Sequence, residues 1–259
     1  MIKSKALQKL RSGGFVRVAG IGRVTDPWLS EVIGRLGFDV IWLDMEHRSL
    51  GYEVIDPLSL ACRATGTDLM VRILKTGYST PMRCFEFGAN GLMVPHIRST
   101  EEAREWIEWC RFPPLGKRGF DGAGADADYM LAPPLEYIQH ANRETFLALQ
   151  IEDREAVECV EQIAAVEGFD LLFVGPADLT ISYGVPFQFD HASVQNAIDR
   201  VASAAYKAGK WWGTTSASPE AGQRALDRGA RMITCGNDHA FLVRGFQNAI
   251  QEFGELKIR

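Results

Sequence analysis

The feature that most constrains this chain of 259 residues is an alternation, repeated about eight times, between short apolar runs and longer amphipathic segments. The runs predict strands at residues 15–21, 38–44, 69–74, 91–94, 146–152, 171–174, 210–215 and 232–235. Several are almost continuously apolar, which is typical of parallel strands covered on both faces. The amphipathic segments predict helices at residues 27–35, 54–64, 80–87, 101–110, 154–166, 193–208, 220–228 and 239–253.

Local signals mark the ends of several predicted helices. Asp26-Pro27 is an N-cap followed by proline at the first helical position, and an acidic first turn follows Ser99. A glycine stands between a predicted helix and the next strand at five places: Gly37, Gly88, Gly168, Gly209 and Gly229. About eight strand–helix units in succession predict an α/β fold, a single (β/α)8 TIM barrel over residues 1–259, and the chain length is typical of one.

An open doubly wound sheet is the alternative fold. Such a sheet usually has fewer strands and carries a glycine-rich nucleotide loop. Gly20-Ile21-Gly22 lacks the third glycine and the downstream acidic residue of a dinucleotide-binding loop, so the barrel is favoured.

Composition excludes several classes of partner. The chain is 46% hydrophobic and 24% charged, which is ordinary for a globular protein, and its net charge of −5 predicts no nucleic-acid partner. No apolar stretch is long enough to span a membrane, and the N-terminus lacks the apolar core of a signal peptide. The five cysteines lack CxxC spacing, which favours reduced thiols in a cytoplasmic protein over disulfides or a zinc site.

Two acidic residues follow two successive apolar runs in the middle of the chain. Glu152 comes directly after the run that ends at Ile151, and Asp178 follows Val174 through Gly175-Pro176-Ala177. If the runs are adjacent parallel strands, both carboxylates lie at the carboxyl end of the barrel, where such folds place their chemistry. Taken alone, each acid is better explained as a helix cap. As a pair of hard oxygen ligands, they predict a site for a divalent cation such as Mg²⁺ or Mn²⁺.

Ionisable residues also end the second and third predicted strands. Asp44 stands three positions before His47, a spacing at which a carboxylate can orient an imidazole, or can simply cap the next helix. Arg72 lies in an apolar strand, so it pairs with an acid such as Glu86, points into a polar site, or does both. His96, at the end of the fourth strand, could also face the site. Charges gathered on one rim of a barrel are costly unless they bind something.

The longest irregular stretch covers residues 111–134. Loops of this length in a compact domain are usually functional or form a subunit contact. Because it comes after the fourth strand, we expect it to lie over the mouth of the barrel.

Five motifs, in their order and approximate spacing, resemble the HpcH/HpaI aldolase family. They are Asp44-Met45-Glu46-His47, Arg72, Pro113-Pro114-x-Gly116-x-Arg118-Gly119, Gln150-Ile151-Glu152 and Gly175-Pro176-Ala177-Asp178-Leu179. The resemblance runs from about Gly20 to Gly254. A five-part match at consistent spacing is far more specific than any one of its parts.

The resemblance implies a class II, metal-dependent aldolase, which cleaves 4-hydroxy-2-oxo acids such as 2-keto-3-deoxy sugar acids into pyruvate and an aldehyde and runs the reverse condensation. Glu152 and Asp178 would then hold Mg²⁺, Mn²⁺ or Co²⁺. Arg72 would stabilise the developing oxyanion, and His47, held by Asp44, would move the proton of the C4 hydroxyl. The remaining implied roles are support of Arg72 by Glu86 and binding of pyruvate by Gln150, Gly175, Pro176 and Ala177.

Two departures from the family concern the aldehyde. The seventh strand ends in Thr214-Thr215, where relatives active on heptanedioate-type substrates have apolar residues, and Arg23 stands where many relatives have a small or uncharged residue. We therefore expect Thr215 and Arg23 to shape the aldehyde pocket toward polar or acidic acceptors.

The resemblance also concerns assembly. Many relatives are homohexamers, trimers of dimers that exchange the last helix, here at about residues 238–253. The apolar face of this helix suits such an exchange as well as packing on its own barrel.

Two other functions remain open at this point. A citryl- or malyl-CoA lyase would call for a basic CoA-binding surface, which this acidic chain does not show. A catalytically silent sugar-acid-binding protein would be favoured if the metal or acid/base residues were missing, and all of them are present.

Overall fold

The computed structural model describes residues 1, 3–254 and 256, and it confirms the predicted barrel. Eight parallel strands close in sequence order, with β1 paired to both β2 and β8. The strands are β1 Val16–Ile21, β2 Val40–Asp44, β3 Asp68–Arg72, β4 Gly91–Val94, β5 Phe146–Ile151, β6 Leu171–Val174, β7 Trp211–Thr215 and β8 Met232–Asn237. All eight predicted strands are present, with bounds within two residues of those expected.

Helices surround the strands. They are α1 Lys5–Arg11, α2 Pro27–Arg35, α3 Ile55–Thr65, α4 Ser79–Glu86, α5 Thr100–Cys110, α6 Pro134–Glu144, α7 Arg154–Glu158, α8 Val160–Ala164, α9 Pro176–Ser182, α10 Ala192–Lys207, α11 Pro219–Asp227 and α12 Asp238–Phe253. The predicted helix at 154–166 is divided into α7 and α8 at Cys159, and the sequence analysis missed α1, α6 and α9. Short 3-10 turns occupy Tyr52–Val54 and Ala125–Met130.

The five predicted stop glycines end helices as expected. Their φ angles lie between 65° and 99°, a region that side chains with a Cβ rarely adopt, so glycine lets the chain leave each helix and enter the next strand.

Two apolar layers support the barrel. One lies between the sheet and the surrounding helices, and the other fills the barrel interior with side chains that include Trp42, Phe146 and Phe173. Helix α1 closes the interior layer from the N-terminal end of the strands with buried Ala6, Leu7 and Leu10. This end of the barrel is therefore sealed.

The segment 111–134 does not cover the mouth, and that expectation was wrong. It follows α5 rather than β4, so it begins at the opposite end of the barrel, where Arg111 donates to the carbonyl of Thr145 and to Asp170. Arg118 is buried, with its guanidinium 4.7 Å from the ring centroid of Phe85 and 4.6 Å from that of Phe112. This segment stabilises the outer wall.

Helix α12 starts at the carboxyl end of β8 and leaves the barrel surface. Asp238 is its buried residue, and its exposed apolar side chains include Leu242, Val243, Phe246, Ile250 and Phe253. None of the described helices combines the length and the apolar character needed to cross a membrane.

Candidate active site

Arg72 is fixed at the carboxyl end of β3 by two carboxylates. Its Nε and NH2 lie 3.0 and 2.9 Å from Asp44 Oδ1, and its NH1 lies 3.0 Å from Glu46 Oε2. The guanidinium carbon lies 5.0 Å from the ring centroid of Trp42, and Arg72 is 7% exposed. The β2–β3 register places Asp44 directly beside Arg72, so the sheet itself positions this ion pair.

The predicted partner Glu86 lies elsewhere. It ends α4, at the opposite end of the barrel from the carboxyl end of β3. Burial raises the pKa of Glu86, and the nearby Arg118 partly offsets this. Support of Arg72 by Glu86 is therefore a wrong prediction, because the sequence showed that the arginine needs an acid but not which one.

The imidazole of His47 is not held by Asp44. Asp44 Oδ1 instead accepts the backbone N–H groups of Glu46 and His47, at 3.2 and 3.3 Å. The side chain of His47 is 55% exposed, and its Nε2 lies 3.9 Å from Glu46 Oε2. Asp44 thus shapes the turn, and Glu46, which the sequence analysis left without a role, is the acid beside the histidine ring.

Glu152 is almost completely buried at the end of β5, with 1% exposure. Its Oε1 accepts the backbone N–H of His96 at 3.1 Å, and its Oε2 accepts the amide of Gln150 at 2.5 Å. It does not cap the following helix, because Asp153 occupies the N-cap position of α7. The capping alternative is thus excluded for Glu152.

His96 connects the acids of different strands. It has a φ of 46°, its Nδ1 lies 2.9 Å from Asp153 Oδ2 and 3.5 Å from Glu152 Oε1, and its Nε2 lies 3.7 Å from Glu46 Oε1. Burial lowers the pKa of His96, but the charges of Glu152, Asp153 and Glu46 together raise it. A continuous row of charged groups therefore runs from Arg72 to Glu152.

Glu152 carries its charge at a cost. Burial, together with the charges of Asp178 and Glu46, raises its pKa to about 7, although His96 opposes this rise. Asp178 lies in the first turn of α9 and is close enough to Glu152 to act on it electrostatically. A cation beside two such oxygen donors would offset the desolvation and the repulsion, so the residues fit a hard divalent metal ion. In the described residues, no group of three or more His, Cys, Asp or Glu side chains is arranged to hold a metal.

Gln150 and Gly175 complete the surroundings of Glu152. Gln150 is buried, and its Oε1 has no hydrogen-bond partner among the described residues. A Cβ at position 175 would lie 2.1 Å from Glu152 Oε2, so only glycine lets the β6–α9 turn approach this carboxylate. Pro176 and Ala177, also predicted to bind substrate, line a neighbouring cavity of about 380 Å³.

A larger cavity, of about 440 Å³, opens at the ends of β1, β2, β7 and β8. Asp44, Arg72 and the predicted pocket residue Thr215 line it. Arg23 does not, because its side chain is exposed and only its backbone N–H is engaged, with Asp238 at 2.7 Å. Arg48, which lies in the turn after β2 and which the sequence analysis did not consider, lines this cavity instead.

Comparison with known proteins agrees with this geometry. The model of the HpcH/HpaI aldolase/citrate lyase family matches residues 23–244. The chain belongs to this family. A hydroxypyruvate/pyruvate aldolase of Paraburkholderia phytofirmans is 33% identical to this chain over 245 residues, which cover 88% of this chain and 94% of the relative.

Further relatives lead to the same family. A 4-hydroxy-2-oxo-heptane-1,7-dioate aldolase of Shigella sonnei is 31% identical over 234 residues, covering 89% of this chain and 88% of the relative. The crystal structure of an HpcH/HpaI aldolase from Desulfitobacterium hafniense superposes with a TM-score of 0.92 at 30% identity, covering 97% of each chain. The predicted HpcH/HpaI family, the barrel and the carbon–carbon lyase class are therefore confirmed.

Proposed function

We propose that this HpcH/HpaI family member is a metal-dependent aldolase that reversibly cleaves 4-hydroxy-2-oxo acids of the 2-keto-3-deoxy sugar acid type to pyruvate and an aldehyde. The observation that carries the proposal is the buried Glu152 carboxylate, whose charge is opposed by burial and by Asp178. The aldolase names of the relatives from Paraburkholderia phytofirmans and Shigella sonnei support the reaction class.

Glu152 and Asp178 would hold the metal ion in this proposal. Mg²⁺, Mn²⁺ and Co²⁺ all accept carboxylate oxygens, with oxygens of substrate and water as further ligands. When bound, the cation would supply Lewis-acid stabilisation of the negative charge that develops on the 2-oxo acid. Gln150 and the Gly175-Pro176-Ala177 turn, next to Glu152, would position the pyruvate half.

Arg72 would provide a second, fixed positive group. Three of its nitrogens contact Asp44 or Glu46, and a guanidinium has five N–H donors, so donors remain for a substrate oxygen. Because both carboxylates hold it before substrate arrives, little reorganisation is needed when an oxyanion forms.

His47 would move the proton of the C4 hydroxyl, accepting it on cleavage and returning it on condensation. Its ring stands at the rim beside Glu46 and forms no hydrogen bond with a described side chain, so it is free to turn toward the substrate. Glu46 lies close enough to stabilise the imidazolium that forms.

Release of pyruvate, coupled to lactate dehydrogenase, tests this function. We expect turnover of a 4-hydroxy-2-oxo acid that EDTA abolishes and Mg²⁺, Mn²⁺ or Co²⁺ restores. Turnover that persists in EDTA would exclude the metal. Cleavage of citryl- or malyl-CoA instead would favour the CoA lyase, and binding of sugar acids without any cleavage would favour a silent binding protein.

We also propose that the protein assembles as a trimer of dimers in which α12 is exchanged between subunits. The support is the exposed apolar row on α12, in which Phe246 is 68% and Ile250 77% exposed. Light scattering of the wild type should give the mass of a hexamer. Phe246→Asp and Ile250→Asp should lower that mass, and a monomeric wild type would contradict the proposal.

A cytoplasmic location is part of the same proposal. All five cysteines are free thiols, which suits a reducing compartment. Cell fractionation with an antibody to the protein tests it.

A further inference from the structure

The cavity of about 440 Å³ lies where the aldehyde half of a substrate would extend. Asp44 and Arg72 form part of its wall, and ion-pair contacts connect Arg72 with the surroundings of Glu152. A 2-oxo acid whose keto end lies at Glu152 can therefore pass Arg72 and enter this cavity with its other end. The volume is within the range of small-molecule sites.

Arg48 reaches this cavity from the turn after β2. Its NH1 donates to the carbonyl of His47 at 2.7 Å. Its Nε is buried and has no hydrogen-bond partner in the described part of the chain. A Cβ on Gly22 would lie 3.0 Å from Cγ and 3.3 Å from Nε of Arg48, so the absence of a side chain at Gly22 lets the arginine lie close to the β1 end.

The acids of the cavity are already engaged, so the positive charge of Arg48 is not compensated. Asp44 is paired with Arg72, and Asp238 accepts the backbone N–H groups that follow β1. Neither Arg48 nor Arg244, which lines the cavity together with Arg48 and Arg72, forms an ion pair with a carboxylate of residues 1, 3–254 or 256. Although the chain has a net charge of −5, this cavity therefore contains arginine side chains that are not neutralised by a carboxylate.

We propose that Arg48 is a specificity-determining residue that selects aldehydes with an anionic terminus, a carboxylate or a phosphate. This inference rests on the proposed aldolase function and defines the class of its acceptor. A planar guanidinium binds either anion through paired N–H donors. A neutral aldehyde of the same length would leave the buried Nε without an acceptor, which disfavours it.

Condensation of pyruvate with matched aldehydes tests the inference. Succinic semialdehyde is compared with butanal, and glyceraldehyde 3-phosphate with glyceraldehyde, as ratios of kcat/KM. We expect the wild type to favour an anionic member, and Arg48→Ala to lower that ratio about 10- to 100-fold, the range for a charged hydrogen bond, mainly through KM. The pair with the larger fall identifies carboxylate or phosphate as the terminus.

Two further variants keep the test decisive. Arg48→Gln retains length and hydrogen-bond donors without charge, so its ratio should also fall even if Arg48→Ala folds poorly. Arg104→Ala, which removes an exposed charge of α5 outside the cavity, should keep the wild-type ratio. An unchanged ratio in both Arg48 variants, or an equal fall for anionic and neutral aldehydes, would overturn the inference. A wild type that condenses neither aldehyde would overturn the proposed function as well.

Discussion

The two ends of the barrel both carry charged side chains, but they differ in how those charges are satisfied. At the N-terminal end, Asp39 binds Lys9 at 2.7 Å and the backbone N–H of Arg17 at 2.9 Å. Although burial raises the pKa of Asp39, these donors more than offset it and hold the pKa below its usual value. Helix α1 covers this end of the barrel interior.

At the carboxyl end the polar atoms are only partly satisfied. Gln150 Oε1 is buried without a hydrogen-bond partner in the described residues, and burial is the main cause that raises the pKa of Glu152 to about 7. The comparison teaches that carboxylates at the closed end are engaged by donors of the fold itself, whereas polar groups at the open end are left available to a ligand.

Removing the Glu152 charge should have the largest effect. Glu152→Gln should abolish Mn²⁺ binding and lower pyruvate release about 10³-fold or more, the scale of losing one major electrostatic group. Because the variant no longer buries an acid, the metal-free protein should unfold at the same or a higher temperature. Calorimetry and the coupled assay measure both, and Glu155→Gln, an exposed acid three residues on, is the control. A variant that loses activity and also unfolds earlier would show that Glu152 is structural.

His47→Ala should separate proton transfer from metal binding at the open end. We expect pyruvate release to fall about 10²- to 10³-fold, as is usual when a general acid/base is removed. Binding of Mn²⁺ should remain, since Glu152 and Asp178 are untouched. Wild-type turnover in this variant would exclude His47 as the group that moves the proton.

Gly175→Ala tests the close approach of the β6–α9 turn to Glu152. The new Cβ would lie 2.1 Å from Glu152 Oε2, so the carboxylate must move and turnover should fall about 10²-fold, as for a misplacement of about 1 Å. The matched control is Gly222→Ala, whose Cβ would have its nearest neighbour at 3.4 Å. Equal activity of the two variants would contradict the crowding argument.

The closed end should respond in stability rather than in turnover. Asp68 accepts Ser4 Oγ at 2.6 Å and the backbone N–H of Ala6 at 2.9 Å. Asp68→Asn exchanges one acceptor for a donor, and we expect the free energy of unfolding to fall by about 1–3 kcal/mol, while kcat of the folded enzyme stays the same. Urea unfolding and the coupled assay measure the two quantities.

The same variant also allows a test of pH dependence, in which the expected change in stability is smaller. Burial raises the pKa of Asp68 from 3.8 to about 6, although Ser4 and the N–H groups of Ala6 and Lys5 lower it. Between pH 4 and 6 the folded wild type thus holds more protons than the unfolded chain, so its stability falls as the pH rises through this window. Asp68→Asn lacks this contribution, so its deficit should be greater at pH 4 than at pH 7. A deficit that grows with pH would contradict the shift.

The barrel could be predicted because its signals are local and repeated. Each strand is an apolar run, each following helix is amphipathic, and glycines such as Gly37 and Gly229 mark where a helix must stop. Helix α1 was missed because it lies outside the repeat and is seven residues long. The segment 111–134 was placed at the wrong end because α5, which precedes it, reverses the chain direction.

The site could be predicted in its residue types but not in its pairings. The sequence indicated that Arg72 needs an acid, but the choice of Asp44 over Glu86 depends on the β2–β3 register, which no local pattern specifies. Likewise, an arginine near the aldehyde pocket was expected at Arg23, whereas the turn after β2 places Arg48 there. Such contacts join residues far apart in sequence and depend on how the strands close.

Because α1 covers the N-terminal end of the barrel, this end is suited to attachment of the protein to a support. A tether joined to the exposed Lys3, just ahead of α1, would hold the protein with its mouth facing the solution. A tether joined beyond α12 would instead be attached to the helix that begins at the mouth, directly after β8. For an immobilised catalyst or a fusion partner, attachment ahead of α1 is therefore the side that leaves diffusion of small molecules unobstructed.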